Sequence, residues 1–194
     1  MLLYTIHMST VKDNTIANRF KKLAQMDEEI FHTQDLANLW QINNKNNLHT
    51  TLYRYVQKGL LNRIQKGMYS LKNIKNLDPN LLGVKFLNQF AYISTETILA
   101  EAGIIFQNPT DITLVSSKSL KFTIGGNSYT SRQLKDGFLY NDYGISLTNG
   151  YYKASLERAV ADILYFNPQY YFDNKTAIDW KKVKEIQKKV AYIK

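Results

Sequence analysis

Apolar residues recur at helical spacing in the first third of the chain. Leu36, Ala37 and Trp40 would lie on one face of a helix. Thr33 precedes them and carries a hydroxyl group suited to the N-cap position. The asparagine-rich segment 43–47 then interrupts the pattern, because Asn side chains bond the nearby backbone and favour turns. The pattern therefore predicts one helix followed by a short turn.

A second helix is predicted from about Asn47 to Lys58. One face of it would carry Leu48, Leu52, Tyr55 and Val56. Gly59 follows where a left-handed C-cap is needed. Two apolar-rich extended runs then flank Lys66-Gly67, a dipeptide that favours a hairpin tip because glycine tolerates positive φ.

Two elements are predicted before this pair of helices. Asp13 or Asn14 is expected to cap a helix that continues to Met26. The buried side of that helix would contain Ile16, Phe20, Leu23 and Ala24. Ile30–His32 is predicted to be a short strand. Helix, strand, helix-turn-helix and basic hairpin follow one another in winged helix-turn-helix DNA-binding domains, so this fold is predicted for the N-terminal domain.

The polar face of the second predicted helix contains no acid. Asn can reach adenine edges, Arg can reach guanine, and Thr can contact base edges or phosphate. The residues expected to contact DNA, on both helices and the hairpin, are Thr33, Gln34, Asn46, Asn47, His49, Thr50, Thr51, Arg54, Lys58, Arg63 and Lys66. The alternative is a solvated helix face that happens to be basic.

The remainder of the chain predicts a second, mixed α+β domain. Segment 73–80 is polar and contains a proline, so residues 1–75 and 76–194 are assigned to the two domains. Helices are predicted over 80–90, 94–102, 152–166 and 179–193, and short strands over 91–93, 112–115, 121–124, 128–130, 138–140 and 145–147. Gly125-Gly126-Asn127 predicts a hairpin. The helices would precede and follow a small antiparallel sheet.

The charge of the chain favours polyanionic partners. Its 194 residues include 25 Lys+Arg and 16 Asp+Glu, a formal charge of +9. Residues 1–75 contain 11 basic and 5 acidic side chains, and residues 76–194 contain 14 and 11, so positive charge is denser in the first domain.

Other features of composition point to the cytoplasm. Cysteine is absent, which excludes disulfides and thiolate metal sites and is compatible with a reducing compartment. No apolar run approaches the roughly 20 residues that span a bilayer. The first residues lack the features of a signal peptide, and either Met1 or Met8 is the start.

No catalytic residue, metal or cofactor is predicted. The three histidines, His7, His32 and His49, form no metal-binding motif. The acids Glu96, Glu101, Glu157 and Asp162 could converge on a metal. The preferred interpretation is structural: Glu96 caps a helix, Glu157 pairs with Arg158 or a lysine, and a buried Arg–carboxylate pair holds the domain together.

Two further features of the second domain are open to more than one interpretation. An aromatic cluster is interpreted as core and interface, with base stacking as the alternative. It comprises Tyr165, Phe166, Tyr170, Tyr171 and Phe172. The lysines of the last predicted helix could bind RNA, a protein partner or nothing.

Several motifs resemble those of AbiE-type antitoxins, the AbiEi family of type IV toxin–antitoxin systems. The resembling segments are Gly59–Leu71, Tyr92–Leu99, Gly103–Ile105, Ala154–Tyr165 and Phe172–Asn174. They extend over both predicted domains, and the order of the second-domain motifs carries the resemblance.

The resemblance implies a transcriptional repressor that binds inverted repeats in its own promoter through the winged helix. It further implies that the second domain counters a nucleotidyltransferase-like toxin, without a stable complex being required, in phage abortive infection and resistance. We expect a cytoplasmic protein that is monomeric in solution, with two copies on the operator and no membrane partner. Two alternatives remain: a metal-dependent enzyme acting on nucleic acid through Glu96, Glu157 and Asp162, and a ligand-sensing transcriptional regulator.

Overall fold

The computed structural model describes residues 15–193 in two compact units. The N-terminal unit comprises the described residues up to Lys72, and the C-terminal unit comprises those from Asn73 onward. Each unit has its own sheet and its own apolar core. Helices and strands occur in both, so the predicted α+β class is confirmed at that level.

The N-terminal unit consists of three helices and a three-stranded sheet. The helices are α1 (Ile16–Gln25), α2 (Thr33–Trp40) and α3 (Lys45–Gln57), and the strands are β1 (Ile30–His32), β2 (Asn62–Gln65) and β3 (Met68–Ser70). Strand β3 lies between β1 and β2 and is antiparallel to both. The predicted hairpin at Lys66-Gly67 is confirmed, and Gly67 has a φ of +83°.

Apolar side chains from every helix of the N-terminal unit form its core. They include Leu23, Phe31, Leu36, Trp40, Leu48, Leu52, Tyr55, Leu61 and Tyr69. Trp40 and Tyr55 pack edge to face with their ring centroids 5.6 Å apart. The Tyr55 hydroxyl accepts a hydrogen bond from Arg19 Nη1 at 2.9 Å. These contacts tie α1, α2 and α3 together.

The helices of the N-terminal unit begin at different residues from those predicted. Thr15 caps α1, since its hydroxyl accepts from the backbone N–H of Asn18 at 3.3 Å. Asp13, Asn14 and the segment 1–8 lie outside the described residues. Of the four residues assigned to the buried side of α1, Leu23 is buried, Phe20 is half-buried, and Ile16 and Ala24 are exposed.

Helices α2 and α3 show the same kind of shift. Thr33 is the first helical residue of α2, and His32 occupies the cap position, where its N–H donates to Asp35 Oδ2 at 2.8 Å. Asn44 caps α3, which begins at Lys45, two residues before the predicted start. The caps of α1 and α3 use a side chain that accepts an N–H of the first turn, whereas in α2 the Asp35 side chain of the first turn accepts the N–H of the cap residue.

The C-terminal unit is built on a six-stranded mixed sheet. Its strands are β4 (Ala91–Ile93), β5 (Asp111–Ser116), β6 (Leu120–Ile124), β7 (Asn127–Gln133), β8 (Ile145–Thr148) and β9 (Tyr151–Ala154). They lie in the order β6-β7-β5-β4-β9-β8. The pairs β4·β9 and β5·β7 are parallel, and the other pairs are antiparallel. The expectation of a small antiparallel sheet was wrong.

The helices of this unit pack on the sheet and on one another. They are α4 (Pro79–Leu87), α5 (Glu96–Glu101), α6 (Asp136–Leu139), α7 (Leu156–Phe166) and α8 (Trp180–Lys189), with 3-10 turns at Ile74–Asn76 and Lys175–Ala177. The main apolar core includes Leu99, Ile104, Val160, Ile163, Phe172, Ile178, Val183, Ile186 and Val190. It joins α5, α7 and α8.

The segment predicted as one helix from Tyr152 to Phe166 is divided between a strand and a helix. Strand β9 precedes α7, and Ser155 between them caps α7 by accepting from the Arg158 N–H at 3.2 Å. Asn149 and Gly150 have φ of +49° and +82° and form the tight turn between β8 and β9. The Asn-Gly dipeptide was the sequence signal that the helix prediction overlooked.

The predicted strand at Phe138–Tyr140 was also wrong, because this segment forms the single-turn helix α6. The carbonyl oxygen of Phe138 accepts from Arg158 Nη2 at 3.2 Å. The carbonyl oxygens of Asn141 and Tyr143 accept from Arg158 Nη1 at 2.9 and 3.0 Å. The buried Arg158 guanidinium therefore stabilises this turn through three carbonyl groups. Such contacts come from a distant part of the chain, so local strand propensity could not predict them.

Candidate nucleic-acid interface

The outer face of α3 holds most of the residues predicted to contact DNA. Leu48, Leu52 and Tyr55 are buried, so the 3.6-residue period turns the intervening polar positions outward. The exposed candidates are Asn46, Asn47, His49, Thr50, Arg54 and Lys58, whereas Thr51 is half-buried. Lys58 is the C-cap residue that immediately follows the helix.

This face combines hydrogen-bonding groups with positive charge. Helix α3 contains no Asp or Glu, and Arg54 lies in its last turn. Asn44 Oδ1 accepts from the N–H of Asn47 at 3.0 Å, so the first turn is capped and ordered. The positive end of the helix dipole lies at the same turn and attracts phosphate. The side chains of this face can therefore donate hydrogen bonds to bases and phosphates, and α3 has no carboxylate that would repel the phosphates.

The hairpin places two further cations on the surface. Arg63 of β2 and Lys66 at the tip are both exposed. The backbone N–H of Thr33 donates to the carbonyl oxygen of Gly67 at 2.9 Å, which ties the start of α2 to the hairpin tip. Thr33 is half-buried and Gln34 is exposed at this junction. The hairpin is thus anchored next to the helix pair.

Sequence reasoning missed two residues on the same helix. Tyr53 is 66% exposed and lies one helical turn from both His49 and Thr50. Lys45 is the first residue of α3 and is also exposed. The i, i+4 spacing from His49 was the available signal for Tyr53, which had been given no role.

The other predicted site residues lie in the C-terminal unit, where Arg158 and Asp162 form a fully buried ion pair. Arg158 Nε lies 2.8 Å from Asp162 Oδ1, and neither side chain is exposed. The second carboxylate oxygen accepts from the Tyr92 hydroxyl at 3.0 Å and from Ser94 Oγ at 2.8 Å. The Tyr192 hydroxyl donates to Oδ1 at 2.5 Å. The predicted Arg–carboxylate pair therefore has partners from distant segments.

The environment of this pair perturbs the tyrosines that bond it. Burial, together with the nearby Asp162 carboxylate, raises the pKa of Tyr92 well above its usual range. The same two causes raise the pKa of Tyr192. Both hydroxyls therefore stay protonated and continue to donate to the carboxylate at neutral pH.

The remaining three acids pair with separate cations, and Glu101 Oε2 lies 2.6 Å from Lys153 Nζ. Glu96 was expected to cap a helix, but it is the first residue of α5, after the cap residue Thr95, and its side chain contacts Arg132 on β7. Glu157 Oε2 lies 3.3 Å from Lys182 Nζ, so its partner is a lysine of α8 rather than Arg158. Over residues 15–193, no group of three or more His, Cys, Asp or Glu side chains is arranged to hold a metal ion. Each carboxylate that was considered for a metal site is instead engaged by a different cation.

No protein-family model matches the chain, and no curated protein matches it. Within the described part of the chain, no helix is long and apolar enough to cross a membrane. Function is therefore inferred from the geometry of the two units and from the motifs of the sequence.

Proposed function

We propose that the N-terminal unit is a winged helix-turn-helix domain that binds duplex DNA. The observation that carries this proposal is the exposed, acid-free face of α3 beside a hairpin with a cationic tip. In such domains the second helix of the pair enters the major groove, and a neighbouring hairpin contacts the backbone or minor groove. Asn47, Thr50 and Arg54 are the proposed base-reading residues, and Lys66 is the proposed phosphate contact.

We further propose that the chain is an antitoxin of the AbiE type. In this proposal, two copies bind inverted repeats in their own promoter and repress it, while the C-terminal unit counters a nucleotidyltransferase-like toxin in the cytoplasm without catalysis of its own. The resemblance of the Ala154–Tyr165 motif supports this assignment. Its Arg158 and Asp162 bond Tyr92 and Ser94 of the Tyr92–Leu99 motif, so both motifs contribute to one network.

Operator binding tests the first proposal directly. Fluorescence anisotropy would measure binding of the full chain to the inverted repeat upstream of its reading frame and to a scrambled duplex. Arg54→Ala should weaken operator binding by about 1–3 kcal/mol and relax base preference, whereas Lys66→Ala should weaken binding to both duplexes and lower the salt slope by about 1. Lys21→Ala removes the same charge from an exposed position on α1 and serves as the control.

Growth rescue on co-expression with the toxin tests the antitoxin role. Arg54→Ala and Lys66→Ala should weaken repression and retain rescue. Loss of rescue with intact operator binding would reverse the assignment of the two units. In the anisotropy measurement, equal binding of operator and scrambled DNA by all variants would contradict base reading by α3.

A ligand-sensing role for the C-terminal unit is the second candidate function. A cleft of about 400 Å³ is lined by Glu96, Arg132, Lys121, Asp111 and several threonines. Within the described residues, Glu96 Oε2 and Arg132 Nε are buried atoms without a hydrogen-bond partner. Such groups suit a small polar ligand, because binding would satisfy them. Native mass spectrometry of the purified chain, compared with Arg132→Gln, would detect a co-purified molecule of this kind.

A further inference from the structure

An aromatic groove on the C-terminal unit has no role in the functions proposed above. It lies between the end of α7 and the start of α8 and has a volume of about 570 Å³. Its lining residues include Tyr170, Tyr171, Phe172, Lys175, Trp180 and Lys184. Tyr171 is 69% exposed and Trp180 is 38% exposed.

The rings of this groove are held in place by contacts behind them. Trp180 Nε1 donates to the carbonyl oxygen of Lys175 at 3.1 Å, so its polar atom is already satisfied. The indole packs edge to face on buried Phe172 with the centroids 5.9 Å apart. Lys175 Nζ lies 5.3 Å from the centroid of the Tyr171 ring, a cation–π contact. The groove therefore offers ordered aromatic surface beside a cation.

Positive charge continues from the groove along α8. Trp180, Lys184 and Lys188 are four residues apart and share one face of the helix, and Lys181 lies beside them. No ion pair involves Lys181, Lys184 or Lys188 in the described portion of the chain, whereas Lys182 of the adjacent face pairs with Glu157.

The acids nearest to this stripe already have partners. Asp179 Oδ1 caps α8 by accepting from the N–H groups of Lys181 and Lys182. Glu185 Oε1 accepts from the Tyr143 hydroxyl at 2.5 Å, and Asp173 Oδ2 accepts from the Phe106 N–H at 2.8 Å. These carboxylates keep their charge, but Lys181, Lys184 and Lys188 are exposed and belong to a helix with five lysines and one glutamate, so the stripe is a net positive surface that complements a polyanion.

We propose that this groove binds single-stranded nucleic acid, with bases stacking on Tyr171 and Trp180 and phosphates following Lys184 and Lys188. Aromatic faces beside a cationic track are the combination that binds unpaired bases without sequence preference. Duplex DNA cannot use the aromatic faces in this way, because its bases are stacked on one another. An acidic peptide would use the lysines and leave the stacking surface unused.

This function is separate from duplex recognition by α3, because the groove belongs wholly to the C-terminal unit. It does not depend on the antitoxin assignment. The two activities are therefore expected to respond to different substitutions, Arg54→Ala for duplex operator binding and Tyr171→Ala for single-strand binding.

Fluorescence anisotropy with a labelled 12-nucleotide oligouridylate, using the full chain at low salt, tests the proposal. Tyr171→Ala should weaken binding about tenfold through lost stacking, and Tyr171→Phe, which keeps the ring, should bind like the unsubstituted chain. Lys184→Ala should lower the salt slope by about 0.7, the value for one phosphate contact with a single strand. Lys189→Ala removes the same charge from the adjacent face of α8 and should have a smaller effect.

Four results would overturn the proposal. One is no binding of oligouridylate at low salt. Another is equal binding by Tyr171→Ala and Tyr171→Phe, which would reduce the interaction to charge alone. The third is displacement of the probe by a scrambled DNA duplex or by oligoglutamate at concentrations as low as those of unlabelled oligouridylate. Retention of oligouridylate binding in Arg54→Ala would assign this binding to the C-terminal unit, even if operator binding failed. Loss of oligouridylate binding in Arg54→Ala is the fourth overturning result, because it would assign this binding to α3.

Discussion

Two ion pairs in the C-terminal unit show how differently the same chemistry can be used. Arg158–Asp162 is fully buried, and each carboxylate oxygen accepts from at least two donors. Arg132–Glu96 retains 33% and 17% side-chain exposure, and each partner has one buried atom without a hydrogen-bond partner. The hydrogen-bonding groups of the Arg158–Asp162 pair are all used by the protein, so none is left to bind a ligand. The Arg132–Glu96 pair keeps two polar atoms that could bond a ligand in the cleft that it lines.

The difference follows from where each pair lies in the fold. Arg158 and Asp162 are one turn apart on α7 and are enclosed by β4, the turn after α6 and the segment after α8. Glu96 and Arg132 are half-buried and line a cleft between α5 and β7. Burial makes an unpaired charge costly, and exposure makes a pair nearly neutral for stability. Stability should therefore depend on the first pair and ligand binding on the second.

Breaking the buried pair should have the largest effect. Asp162→Ala leaves the Arg158 guanidinium buried without its counter-ion, and the free energy of unfolding should fall by about 3–5 kcal/mol. Urea denaturation followed by tryptophan fluorescence would measure it. The double variant Arg158→Met/Asp162→Leu removes both charges and should lose less than Asp162→Ala. A double variant less stable than the single one would argue that the guanidinium acts through its carbonyl contacts rather than through charge.

Removing one donor to the carboxylate should have an intermediate effect. Tyr192→Phe deletes the hydroxyl that bonds Asp162 Oδ1 at 2.5 Å and should lower the free energy of unfolding by about 1.5–3 kcal/mol, the range for a hydrogen bond to a charged group. The same urea titration applies. Tyr140→Phe is the matched control, since Tyr140 is 62% exposed. An equal loss of unfolding free energy in both variants would show that the hydrogen bond to Asp162 is not its cause.

The free energy of unfolding at alkaline pH should depend on the network around Arg158–Asp162 and not on the Arg132–Glu96 pair. The pKa of Tyr92 is raised by burial and by Asp162, so the unfolded chain loses this proton first as pH rises above its usual value near 10. Stability from the protonated hydroxyl is complete below that pH and declines above it, by at most about 1.4 kcal/mol per pH unit. Tyr92→Phe should make the decline between pH 10 and 11 shallower without removing it, because the pKa values of Tyr192 and Tyr129 are also raised, whereas Glu96→Gln should leave the slope unchanged.

Neutralising the half-buried Arg132–Glu96 pair should have the smallest effect on stability. Glu96→Gln should change the free energy of unfolding by less than about 1 kcal/mol, because solvent screens a partly exposed pair. Glu101→Gln, at the exposed Lys153–Glu101 pair, provides a control of the same chemistry. A loss from Glu96→Gln as large as that from Asp162→Ala would remove the distinction between the two pairs.

The buried network also shows what a sequence can and cannot predict. An Arg–carboxylate pair on α7 was foreseeable, because residues four apart on a helix are neighbours. Its partners Tyr92, Ser94 and Tyr192 were not foreseeable, since they come from segments 70, 68 and 30 residues away from Asp162. No local pattern marks a hydroxyl that will meet a charge across the fold.

The same distinction separates the three structural errors from the successes. The hairpins at Lys66-Gly67 and Gly125-Gly126 were predicted because their turn residues act locally. Strand β9 was assigned to a helix because the local turn at Asn149-Gly150 was overlooked. Its parallel pairing with β4, where Tyr92 is opposite Tyr152, could not be read from any local pattern. The candidate interface on α3 was foreseeable because one helix carries most of it, whereas the aromatic groove combines residues from the end of α7 to α8.

The sequence alone determined the α+β class, the helix–turn–helix–hairpin order of the first unit and the acid-free face of α3. These depend on periodicity and turn chemistry within about a dozen residues. Tertiary structure decided the mixed sheet, the partners of Arg158 and the exposure of Tyr171 and Trp180. Pairing between distant segments depends on which apolar faces can be buried together, and this is a property of the whole chain.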